Sequence, residues 1–126
     1  MVAFFSEAEL LVLKTHTSIH RWATRVVANG RGVDVSALRR LSFLKAVRDA
    51  HGPHMPIDLL EALRILNDAR NIVAHEESTG EIFIKVAELG RRVKGPTYLE
   101  SPATADEANE QFREVLHFVE GWATHP

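Results

Sequence analysis

Cysteine is absent from this chain, which excludes disulfides, iron–sulfur clusters and thiolate zinc sites and suits a reducing compartment. Long apolar runs are missing too: none approaches the roughly 20 residues that a bilayer-spanning helix needs, and no membrane association is expected. The opening residues, Met1 to Glu7, carry no basic segment, and Glu7 and Glu9 interrupt their apolar stretch, so no signal peptide is expected. An excess of positive charge is lacking: 15 Lys and Arg stand against 17 Asp and Glu, for a net charge of -2. Any contact with nucleic acid must therefore be local rather than driven by a global field. The glycines form no phosphate loop, Ser18, Ser42 and Ser78 lie in no nucleophile elbow, and there is no repeat or low-complexity tract.

What is present is the material of one folded domain. The chain has 126 residues, 45% hydrophobic and 25% charged, a size and balance that let residues 1–126 form a single core. Ser6-x-x-Glu9 reads as a capping box opening a first helix that runs from about Glu7 to Ala28, where Asn29-Gly30 is expected to stop it. Its apolar stripe is Val12, Ile19, Ala23 and Val26, with His16 in the gap. A second helix should start near Asp34 or Ser36, turn Leu38, Leu41, Leu44 and Val47 inward, and end before His51-Gly52-Pro53. A third, from about Pro56 to His75, has the clearest face: Leu59, Ala62, Leu63, Leu66, Ala69 and Val73.

Ser78-x-x-Glu81 is another capping box, followed by Ile82, Val86, Leu89 and Val93 at helical spacing. The β-branched run 82–86 also fits a strand, which leaves a short strand or hairpin near 82–99 as the alternative. Gly95-Pro96 and Ser101-Pro102 bracket a loop, and Thr104-x-x-Glu107 caps a last helix burying Phe112, Val115, Val119 and Trp122. The expected fold is all-α, a compact bundle of four to five helices.

The polar side of the third helix concentrates the residues able to do chemistry. At about 100° per residue, Asn67, Asp68, Asn71 and His75 fall within roughly ±60° of Arg64, opposite the apolar face. Arg70 lies at the seam, next to Leu63 and Ala74. Asn71 and His75, four apart, stack on one face and can share a ligand.

Arg70-Asn71-Ile72-Val73-Ala74-His75 resembles the Arg-polar-x-x-x-His motif of the HEPN superfamily, and the preceding Leu63 to Ala69 and the small Ala74 before the histidine are similar to many members. The likeness spans about twenty residues, and the rest of the chain shares only helix order. It implies a helical bundle, often a homodimer with the motifs meeting across the interface. It also implies a cytoplasmic, metal-independent endoribonuclease of toxin or phage-defence type that leaves a 2′,3′-cyclic phosphate and takes no cofactor. An antitoxin or a nucleotidyltransferase is the implied protein partner.

In that scheme His75 is base or acid, Arg70 clamps the phosphate and Asn71 orients, while Arg64 and Asn67 contact RNA. The chemistry is sound, because RNA supplies its own 2′-OH nucleophile, histidine titrates near neutrality and arginine stays charged with paired donors. Two features depart from the toxin members. Glu77 stands where some carry Tyr, and Glu76 and Glu77 put negative charge beside the motif. The alternative is a non-catalytic HEPN-like dimerisation or RNA- or protein-binding module.

His16 with His20, and His51 with His54, have spacings that can chelate a metal, but neither pair has an evident third ligand, and packed histidines are the commoner outcome. Arg39-Arg40 and Arg91-Arg92-x-Lys94 are small basic clusters able to touch phosphate, although such clusters are usually solvated surface.

Overall fold

Two helices carry the apolar stripes long enough to organise the rest, and the architecture follows from burying both at once. In a computed structural model, which describes residues 7–74, 79–94 and 105–125, these are α1 (Glu7–Arg31) and α3 (Ile57–Ala74). Between them lies α2 (Phe43–His51), and α4 (Thr79–Lys94) and α5 (Ala105–Ala123) follow. α1 packs against each of the other four, and α3 likewise meets all of them, so the pair is the axis of an all-α bundle. Among the described residues there is no strand, and residues 82–94 are helical, which sets aside the strand alternative there. Isolated β-branched residues do not decide the matter when Val86 and Leu89 recur at helical spacing and both are buried.

The core is the one expected of α3: Leu59, Ala62, Leu63, Leu66, Ala69 and Val73 are all buried, joined by Ile65. Val12, Ile19 and Ala23 of α1 face them, as do Phe43, Ala46 and Val47 of α2 and Phe112, Val115, Leu116 and Val119 of α5. On α1 the stripe drifts by one position at its end, so that Val27 is buried and Val26 only half-buried. Trp122 is also half-buried against the core.

Two boundaries differ from expectation. α1 continues through Asn29-Gly30 to Arg31 and is stopped by Gly32, whose φ of 66° is the left-handed conformation glycine adopts without strain. Val33 N–H donates to Ala28 O at 3.0 Å and Gly32 N–H to Asn29 O at 3.3 Å, the paired bonds of a Schellman stop.

The expected second helix is split. Asp34 caps a short 3-10 turn (Val35–Leu38) by accepting from Ser36 N–H, and α2 begins only at Phe43. Leu38, Leu41 and Leu44 are therefore only half-buried, and Phe43 is the residue that enters the core. The C-terminal end of α2 is fastened to α5 by His51, whose Nε2–H donates to Ala123 O at 2.6 Å, one of the carbonyls a helix end leaves unpaired. Trp22 packs edge-on to the same ring, at 5.6 Å between centroids. The capping residues Ser6, Ser78 and Thr104, the loop 95–102 and His75 lie outside the described residues.

The two glycines at the end of α1 make this stop testable. Neither has a heavy atom within 4 Å of an added Cβ, so backbone conformation alone separates them. Gly30→Ala, within the helix, should raise stability by about 0.5–1 kcal/mol. Gly32→Ala, at positive φ, should lower it by about 1 kcal/mol. Chemical denaturation of the two variants checks the pair, and the opposite order would return the stop to Asn29-Gly30.

Candidate functional site

The polar arc of α3 does not present itself as one surface, because the neighbouring helices divide it. On the side toward α4, Asp68 lies 3.9 Å from Lys85 Nζ, and Glu61 pairs with Arg92 at 2.7 Å. On the side toward α1, Asn67 is half-buried and accepts a hydrogen bond from His16 Nε2–H at 2.9 Å. Arg64 and Asn71 point between these seams and are exposed. Arg70 is exposed as well, and its Nη1 reaches Asn71 Oδ1 at 3.5 Å, the edge of hydrogen-bonding distance. Arg70 and Asn71 are thus together, whereas Asn67 is engaged in the interior and Arg64 stands apart from it. The Arg92 of the second basic cluster is taken up by Glu61.

His16 is the residue around which this side is built. It is buried, its ring lies 3.9 Å from that of Phe43 and 6.1 Å from that of His20, and it therefore sits where α1, α2 and α3 meet. With Asn67 Oδ1 accepting, Nε2 carries the proton and Nδ1 the lone pair. Burial, with the charges of Arg70 and His20 beside it, lowers its pKa from 6.5 to about 4, against the opposing effect of the Asn67 bond. At neutral pH it is an uncharged imidazole. His20 bonds through Nε2 to Leu41 O at 2.9 Å, and Thr24 Oγ1–H donates to His20 O at 2.8 Å. Of the four histidines weighed as chelators, His16, His20 and His51 each hold a structural hydrogen bond, and the described residues contain no group of three potential metal ligands.

Above His16 and His20 opens a cleft of about 510 Å³. Its charged lining among the described residues is Arg21 and Arg25 from α1, Arg39 from the end of the 3-10 turn, and Arg70 from α3, with no carboxylate among them. None of the four guanidiniums pairs with an acidic side chain among the described residues. The motif arginine is therefore one of four cations on a shared wall, an arrangement suited to a phosphate or another oxyanion. Sequence reasoning found Arg70 and noted Arg39 but missed Arg21 and Arg25. A signal was there: neither has an acidic residue three or four positions away on α1, and they are four apart from each other. Like charges at that spacing oppose the helix.

No family model, curated protein or solved structure matches this chain. A larger hollow of about 1120 Å³, between α1 and α2, carries Arg31, Lys45 and Arg48, but Asp49 lines it too and pairs with both Arg31 and Lys45. That single carboxylate offsets part of the positive charge there, whereas the described wall of the cleft has none. Among the described residues, no helix is long and apolar enough to cross a membrane.

The state of His16 sets a pH dependence. The folded chain keeps this imidazole neutral down to about pH 4, while the unfolded chain protonates it near 6.5. Between those values the unfolded state holds more protons, so the stability contributed by this group is complete above 6.5 and is lost as pH falls toward 4. From pH 7 to pH 5 the wild type should lose about 1–2 kcal/mol more than His16→Gln. Urea titrations at the two pH values measure this, and equal losses in both proteins would mean that His16 is solvated.

Proposed function

We propose that this chain is a HEPN-like, metal-independent endoribonuclease of toxin or defence type. The observation that supports the reading most is that Arg70, the first residue of the Arg-Asn-x-x-x-His motif, lines a wall of arginines with no carboxylate among its described residues. Such a wall suits the negative charge of a phosphodiester and is unusual in a chain of net charge -2.

In the proposed reaction the 2′-oxygen attacks the adjacent phosphorus, its proton passes to a base, and the bond to the 5′-oxygen breaks. That oxygen leaves with a proton from an acid, and the products are a 2′,3′-cyclic phosphate and a 5′-hydroxyl. His75 serves as base or acid, Arg70 holds the non-bridging oxygens as charge builds on them, and Asn71 orients one of these partners. Asn67, tied to His16, acts on this site only by holding its wall.

One histidine cannot be base and acid at the same moment, so the proposal includes a homodimer in which two copies bring their His75 helices together about the two-fold axis. A second reading is a non-catalytic HEPN-like dimerisation or RNA- or protein-binding module, with an antitoxin or nucleotidyltransferase as its controlling partner. It is favoured by the neutral, hydrogen-bonded state of His16 in the cleft, which leaves the arginine wall without a charged imidazole from that residue. The two readings share a fold and differ in turnover.

Incubation with total RNA in EDTA separates them. Cleavage should persist without metal, yield cyclic phosphate ends, and fall by at least about 100-fold in Arg70→Ala and in His75→Ala, with the double variant little worse than either. Full activity in either variant overturns the assigned roles, and no cleavage at all leaves the binding module. For a shared site, activity per chain should drop on dilution through the dimer dissociation constant. Excess His75→Ala chains should also poison the wild type by forming mixed dimers. Specific activity constant well below that dissociation constant would count against the composite site.

A further inference from the structure

The arginine cleft does not end at α1. Lys14, Arg21 and Arg25 lie at i, i+7 and i+11, on one stripe of the helix surface about 140–180° away from the buried His16. On the far side of Arg21 and Arg25 is a second hollow of about 450 Å³, which shares Thr17, Arg21 and Arg25 with the first and adds Lys14. Among the described residues no carboxylate lines this hollow either, and Lys14 has no acidic partner. The acidic side chain placed beyond it, Glu120, accepts a hydrogen bond from the Ser18 hydroxyl, which marks an outer limit. Arg21 and Arg25 thus form a cationic ridge between two hollows, with Arg39 and Arg70 on one side and Lys14 on the other.

We infer that this ridge is a track for the backbone of a single-stranded nucleic acid, which enters the cleft at Arg70 and Arg39, crosses α1 over Arg21 and Arg25, and leaves past Lys14. The juxtaposition that carries it is five cations from three segments of the chain, none with an acidic partner among the described residues, around two adjoining hollows in a molecule whose net charge is negative. Two features select a polymer over a mononucleotide. The stripe from Lys14 to Arg25 extends about 16 Å along the helix axis, beyond the reach of one phosphate group. The cations also continue from one hollow into the next, whereas a small-molecule site would converge on one pocket. The described wall offers no aromatic stack other than the histidines at its floor, so phosphate contacts supply the affinity and base identity matters little. The inference rests on the reading above for its choice of occupant, but it requires neither His75 nor turnover.

Fluorescence anisotropy with a labelled twelve-nucleotide DNA strand tests it, because DNA lacks the 2′-OH and reports binding without cleavage. With four to five phosphate contacts, affinity should fall by about fifty-fold or more between 50 and 200 mM salt, from a slope of about −0.7 per contact on single strands. Arg21→Gln and Arg39→Gln should each weaken binding several-fold at low salt and reduce that slope by about 0.7. Arg92→Gln, whose partner is Glu61 on another face, should bind like the wild type. Because Arg21 and Arg39 are exposed, unchanged thermal melts are expected for these variants, and Arg21→Lys should retain most of the binding.

Absence of saturable binding at 50 mM salt, or equal losses in the Arg92 control, overturns the track. Tripolyphosphate binding that the oligonucleotide cannot displace overturns the polymeric occupant. The two proposals fail separately. His75→Ala should lose cleavage and keep binding. Binding that depends on Arg21 and Arg39 without any RNA cleavage leaves the track standing and removes the nuclease. RNA cleavage whose KM is unaffected in Arg21→Gln and Arg39→Gln does the reverse.

Discussion

A neutral imidazole, buried where three helices meet, fixes how this bundle is assembled. His16 of α1 donates to Asn67 of α3 and packs on Phe43 of α2, so the rotation of α1 about its axis and its register against α3 are set together. A bond of this kind contributes only about 0.5–1.5 kcal/mol net, but leaving either partner unsatisfied costs about 1–3 kcal/mol. Apolar stripes tolerate small rotations, whereas this donor and acceptor do not. The interaction therefore selects one packing among the several that the leucines and valines would accept.

The same rotation determines what the outside of α1 can do. With His16 turned into the core, Arg21 and Arg25 are carried to the outer flank, and the 3-10 turn held by Asp34 delivers Arg39 to the same place. Arg70 completes the wall from α3, close enough that its charge helps keep His16 unprotonated. The cationic cleft and the buried neutral histidine are thus two sides of one arrangement. A protonated His16 would add a fifth positive charge to a wall that already holds four.

The fold was largely legible. The 3.6-residue periodicity of α3 named six of its buried residues, and the core faces of α1 and α5 were read in the same way, because a helix that must bury one side declares it in spacing. The misreadings have local causes. Asn29-Gly30 carries the chemistry of a stop, but Gly32 takes the left-handed conformation, and a sequence with two glycines so close does not say which will. Leu38, Leu41 and Leu44 keep helical spacing across a segment that is in fact a 3-10 turn followed by a separate helix, and Phe43, outside that register, is the residue buried.

The candidate site divides along the same line. The sequence by itself determined that Arg70 and Asn71 lie off the apolar face of a long helix, since that follows from chain geometry within a single element. It also determined that no thiolate site is available, since the chain has no cysteine. Only the tertiary structure decided that Asn67 is drawn inward by His16, that Asp68 and Arg92 find partners across the α3–α4 seam, and that Arg21, Arg25 and Arg39 join Arg70 on one wall. The physical reason is that a helical stripe is encoded by neighbours three and four residues apart. A cleft is made by side chains far apart in the chain, brought together only when the core beneath them is packed.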